Sequence, residues 1–210
     1  MPEVKPDSTE TKSLLDQAKA GDRRAFDRLF SRHREGLLGF VELRLDRKLR
    51  SRVDPSDVIQ EAHLEAIRKL DDYLQRRPMP FNLWLRKTTY ERLLMIRRRH
   101  LKAAGRGMER EVPLPDRSSL GLARQLLAPN STPSRHLAAS ELARRVRSAV
   151  AQLPDIDREI LLMRTFEGGS YAEVACVLGI KVDAAKKRHG RALLRLHQLL
   201  LKSGLTESEM

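Results

Sequence analysis

Lys186, Lys187, Arg188 and Arg191 fall within two helical turns of one another. On a helix they share a face, and a cationic face of that width suits phosphate oxygens and base edges in a major groove. Surface cations alone usually stay solvated, so what precedes them decides the reading. Leu178-Gly179-Ile180 is a tight reversal that would display their helix outward, the outline of a helix-turn-helix. A second set, Asp57, Gln60 and Glu61, is acidic in a strongly basic chain, and such a face suits a protein better than phosphate. A third gathers Arg76, Arg77, Arg86 and Lys87 around Phe81, Trp84 and Tyr90, combining phosphate binders with stacking surfaces as unpaired bases require. Trp84 reads equally well as the core of a bundle. Catalysis finds little to use. Asp71-Asp72, the one adjacent acidic pair, precedes a loop, and Cys176 is the single cysteine, which excludes an internal disulfide and a thiolate cluster. With no phosphate-cradling glycine motif either, no catalytic residue, metal or cofactor is expected.

Several elements must position these groups. Ser170 and Glu173 form an S-x-x-E capping box that opens a short helix from about Tyr171 to Leu178. Gly179 can take a positive φ without steric cost, which a sharp reversal needs. The next helix is expected to start near Asp183 and to turn Ala185, Leu193, Leu196 and Leu200 inward. Upstream, Leu14, Leu15, Ala18, Ala25, Phe26, Leu29 and Phe30 make a helical stripe interrupted at Ala20-Gly21-Asp22. Asp54 and Pro55 occupy the cap and first position of another helix, with Val58, Ala62, Ile67 and Leu70 expected inward. Pro78 and Pro80 make residues 71–82 a loop. A further helix then carries Trp84, Leu85, Leu93, Leu94 and Ile96 and closes on Arg97, Arg98 and Arg99, where cations also suit the helix dipole.

With 4% aromatic residues and no β-branched runs, the 210-residue chain is expected to be all-α: two small helical domains joined by a flexible linker. The formal net charge of +13 points to a polyanionic partner. Residues 11–103 hold 23 Lys and Arg against 13 Asp and Glu, and residues 139–203 hold 12 against 7, so both blocks are expected to touch it. Residues 1–10 are polar and read as a disordered tail, 104–138 as a Pro- and Gly-rich linker, and 204–210 as a second tail. No segment approaches the length of a spanning helix and the N-terminus lacks a signal-peptide pattern, so nucleic acid is favoured over membrane and the cytoplasm is the expected compartment.

Residues 153–196 resemble region 4 of the RNA polymerase sigma-70 family, especially its extracytoplasmic-function type. The resemblance is carried by Leu153-Pro154, Arg158-Glu159, Glu167-Gly168, Ser170 to Ala175, Leu178-Gly179-Ile180, Lys186, Arg188 and Arg191-Ala192. Residues 14–100 resemble region 2 through Gly21-Asp22, Ala25-Phe26, Leu29-Phe30, Asp54-Pro55, Asp57-Val58, Gln60-Glu61, Phe81 and Trp84-Leu85. The resemblance implies that Asp57, Gln60 and Glu61 face the β′ clamp helices of core RNA polymerase. It places a flipped base of the −10 element in the loop Arg76 to Phe81, which includes Arg77 and Met79. Arg86, Lys87, Tyr90 and Arg97 would lie along the melted strand. Lys186, Lys187, Arg188 and Arg191 would enter the major groove of the −35 element, with the β flap on the other side of that domain. An anti-sigma factor is a further implied partner. His189 stands where the family carries an aliphatic residue and is expected to pack rather than titrate.

Two other classes fit part of the pattern. A stand-alone repressor or activator would use residues 139–203 only and bind duplex tightly without polymerase. A recombinase or nuclease would need clustered carboxylates or a placed nucleophile, which the chain does not offer.

Overall fold

The computed structural model describes residues 4–45, 47–103, 144–146 and 148–204, and every regular element among them is helical. In chain order these are α1 (Thr9–Lys19), α2 (Arg23–Glu42), α3 (Arg47–Arg50), α4 (Pro55–Arg76) and α5 (Phe81–Ala103). Helical residues 144–146 and 148–151 follow, then α6 (Asp155–Leu161), a π-helical turn (Leu162–Phe166), α7 (Tyr171–Leu178) and α8 (Val182–Lys202). The expected linker, residues 104–138, lies outside the described residues.

Local chemistry sets the breaks. Ser8 accepts from the Thr11 amide to cap α1, Gly21 turns the chain at φ +99°, and Asp22 accepts from the Arg24 amide to start α2. Asp54 caps α4 in the same way, with Pro55 in the first turn where its missing N–H costs nothing. Of the tail expected over residues 1–10, the described residues 4–10 belong to the fold. Val4 packs on the core, α1 starts at Thr9, and the Asp7 carboxylate accepts from the Phe81 amide at 2.9 Å, tying the N-terminus to the start of α5. The loop expected over residues 71–82 is shorter than that. Tyr73 and Leu74 are buried on the helix face that Val58, Ala62 and Ala66 begin, so α4 continues to Arg76 and only residues 77–80 turn.

α2, α4 and α5 form the first block, with Phe26, Phe30, Tyr73, Phe81 and Trp84 at its centre. Trp84 stacks on Tyr73 at 4.4 Å and Phe30 meets His63 at 4.2 Å. Apolar residues run all round α5 because it is covered on several sides, by α2 and α4 and also by α7. The hydrophobic core is continuous across the two blocks, since Ile160, Met163, Val174, Ala175, Val177 and Ala185 pack with the first block's residues. A second cluster, including Val146, Val150, Leu153, Leu162, Ala192, Leu196 and Leu200, holds α6 to α8. Two expected facings differ. Ile67 is 46% exposed and Leu193 is 44% exposed. The small Ala66 and Ala192 face the core in their place.

Candidate nucleic-acid interface

The helix-turn-helix is built from short-range bonds. Ser170 accepts from the Glu173 amide while the Glu173 carboxylate accepts from the Ser170 amide, a complete capping box on α7. Gly179 ends α7 in the left-handed region at φ 65°, and the Ile180 amide returns to the Ala175 carbonyl at 3.0 Å. α8 begins one residue earlier than expected. Lys181 holds the cap position without a side-chain bond, and Asp183 lies in the first turn, where its charge favours the helix dipole.

Within α8 the four candidate cations divide into two pairs. Arg188 lies 3.6 Å from the buried carboxylate of Asp157, which also holds Arg195, and Lys186 lies 3.9 Å from Asp183. Lys187 and Arg191 are exposed and, among the described residues, have no carboxylate in ion-pair reach; the Arg191 guanidinium touches only the Lys187 carbonyl. These two form the free cationic edge of the helix.

The third candidate set is less open than its composition suggests. Arg76 is exposed and paired with Asp72, whereas Arg77 closes α4 in the left-handed region at φ 38° and binds Asp16 at 2.6 Å. The Tyr73 hydroxyl donates to the Met79 carbonyl at 3.1 Å, which fixes the turn. Phe81 is fully buried and Trp84 nearly so, packed ring against ring, so both serve as core and neither presents a face to a base. Arg97 is only 7% exposed. Arg86 and Lys87 are half-buried, and Arg86 lies 2.8 Å from Glu167 of the second block.

That contact belongs to a buried cluster which sequence reasoning missed. Arg44, with no exposed side-chain surface, reaches Glu159 at 2.7 Å and Glu167 at 2.7 Å, and its guanidinium rests 3.6 Å over the Phe40 ring. Burial alone would lower the Arg44 pKa; the Glu159 and Glu167 carboxylates outweigh it and hold the group above its ordinary value. Tyr90 is raised by burial and by the nearby Glu159 charge. The face of α5 that bears Arg86, Tyr90 and Arg97 is therefore covered by the second block. The pairs Arg158-Glu159 and Glu167-Gly168 were visible in the sequence, but nothing local indicated their partner.

The acidic set stands apart on α4. Asp57 and Gln60 are exposed, and Glu61 lies half-buried within reach of Arg92 and Arg99. Leu64, 56% exposed, and Ile67 extend the same helix side, so the surface combines acidic and apolar groups. Among the described residues, no His, Cys, Asp and Glu group could hold a metal ion, and no helix is long and apolar enough to cross a membrane.

Residues 143–196 match the family described as Sigma-70, region 4. The RNA polymerase sigma factor CnrH of Cupriavidus metallidurans is 30% identical over 194 residues, covering 89% of this chain and 92% of that protein. The RNA polymerase sigma-H factor of Pseudomonas aeruginosa is 28% identical over 179 residues, covering 85% and 88%. Among solved structures, CnrH in complex with the cytosolic domain of CnrY aligns with a TM-score of 0.57 at 24% identity, covering 91% of this chain and 97% of that one. The sigma factor RpoE in complex with the anti-sigma factor NepR from Bartonella quintana aligns with a TM-score of 0.54 at 19% identity, covering 83% and 96%. These two structural likenesses speak to the all-helical fold.

Proposed function

Because the chain belongs to the extracytoplasmic-function type of RNA polymerase sigma factors, we propose that it binds core RNA polymerase in the cytoplasm and directs it to promoters through −35 and −10 elements. It is a specificity subunit and not itself an enzyme. The observation that carries this reading is the separation of two surfaces: a free cationic edge on α8, and an acidic and apolar side of α4 that is poorly suited to DNA. In this division Lys187 and Arg191, flanked by Lys186 and Arg188, meet the −35 duplex. Asp57, Gln60 and Glu61 meet the β′ clamp helices, while the second block also meets the β flap. Neither DNA contact need be tight alone, because tethering to polymerase makes the second contact intramolecular. Residues 11–103 and 139–203 act as the two modules on either side of the linker 104–138.

For the −10 element the reading requires movement. Arg86, Lys87, Tyr90 and Arg97 would follow the melted strand, with Arg76, Arg77 and Met79 at the loop that takes a flipped base. Phe81 shapes that loop from beneath. Since the second block covers much of this face of α5, the blocks must separate before it meets a strand. An anti-sigma factor is the natural partner for a chain whose two DNA-binding faces need controlled exposure. The test addresses the acidic surface. Asp57→Arg with Glu61→Arg should abolish capture of core polymerase while leaving the circular-dichroism spectrum unchanged and unfolding cooperative, and normal capture would remove the assignment.

A further inference from the structure

α7 and α8 meet through apolar packing and through one polar side-chain link among the described residues: the Tyr171 hydroxyl lies 2.9 Å from Nδ1 of His189. Tyr171 is in turn held from behind. The Arg164 guanidinium sits 4.2 Å over its ring and donates to the Gly169 carbonyl, and it reaches both from the π-helical turn. Gly169 keeps that turn tight, since a Cβ there would stand 3.3 Å from the Met163 carbonyl. His189 occupies the turn of α8 between Lys187 and Arg191. The following residue, Gly190, has open space around it and is the weakest helix former of that turn. An external anchor at His189 therefore fixes the part of the helix whose side chains must reach base edges.

We propose that Arg164, Tyr171 and His189 form a relay that sets the angle at which α8 enters duplex DNA, with His189 as the positioning residue. This rests on the promoter reading given above. From α7 the imidazole faces the Tyr171 hydroxyl and from the π-helical turn it faces Arg164. Arg164 is the charged group that acts on it, and no carboxylate among the described residues pairs with it. Nε2 is buried without a partner, so the neutral ring that carries its proton on Nδ1 and donates to the Tyr171 oxygen leaves no N–H unsatisfied. Burial and then the Arg164 charge hold the imidazole below its ordinary value. Protonation would put an unsatisfied N–H in the protein and a second cation beside Arg164, so the cost grows as pH falls below the ordinary histidine value of 6.5. The relay then loosens in acid. A histidine acting only as one more surface cation would do the reverse, strengthening phosphate binding as pH falls.

The opposed signs make the test. The full chain with core polymerase selects a promoter duplex from a randomised pool, and its affinity for that duplex and for a scrambled one is measured from pH about 8 to about 5.5. The wild type should lose discrimination on acidification. Tyr171→Phe should start roughly fivefold lower, as expected for one lost hydrogen bond, and should show little pH dependence. His189→Gln, which can still donate to the Tyr171 oxygen but does not titrate, should keep discrimination at all pH values. Wild-type behaviour of Tyr171→Phe, or discrimination that rises in acid, would overturn the relay. Failure of the wild type to select any duplex would instead contradict the promoter reading and the relay with it.

Discussion

Arg44 and Lys187 mark opposite uses of a cation in this chain. Arg44 is fully buried between Glu159 and Glu167, with Arg86 completing the cluster, whereas Lys187 and its neighbour Arg191 project from α8 with no carboxylate in reach among the described residues. Desolvating Arg44 is costly and is offset only because two carboxylates from the other block meet it, so the cluster stabilises one arrangement of the blocks and weakens sharply if a member is lost. Lys187 and Arg191 remain hydrated, contribute little to folding and are available to phosphate. Net charge cannot distinguish the two cases. What separates them is whether an acidic partner is already in place, and by that measure part of the basic surface of α5 is occupied by the protein itself.

The contrast is broken most forcefully at the buried end. Arg44→Met leaves buried Glu159 without its counter-charge and Glu167 with Arg86 alone, and should lower unfolding free energy by about 3–5 kcal/mol in a denaturant titration. Adding Glu159→Gln should restore part of that loss, which a simple packing defect would not. At the exposed end the effects move from stability to binding. Arg191→Ala should cost about 1–3 kcal/mol of affinity for the selected promoter if the guanidinium reads a base, with no change in thermal midpoint. Lys187→Ala should have the smallest effect, a uniform weakening with the salt slope reduced by about one unit, as expected for one phosphate contact. If Arg191→Ala destabilised the fold as much as Arg44→Met, the contrast would be lost.

The exposed end was also the more legible in sequence. Ser170, Glu173 and Gly179 act on residues within five positions of themselves, so the capping box and the turn that displays α8 could be read directly, as could Asp22 and Asp54 as caps. The buried end depends on a pair 115 residues apart, Arg44 and Glu159, and no periodicity encodes such a partner. The same limit explains Phe81 and Arg97, whose types suit nucleic acid but whose burial is set by elements distant in the chain. On α4 and α8 the helical period allowed two adjacent stripes. The structure buries the one that contains Ala66 and Ala192, leaving Ile67 and Leu193 outward.

Run-off transcription with purified core polymerase, followed by mapping of start sites on genomic fragments, tests the whole account most directly. It predicts discrete starts, each preceded by a shared pair of upstream sequences, and only weak duplex binding by the chain without polymerase. No directed start, together with tight binding of the free chain to a double-stranded operator, would contradict it.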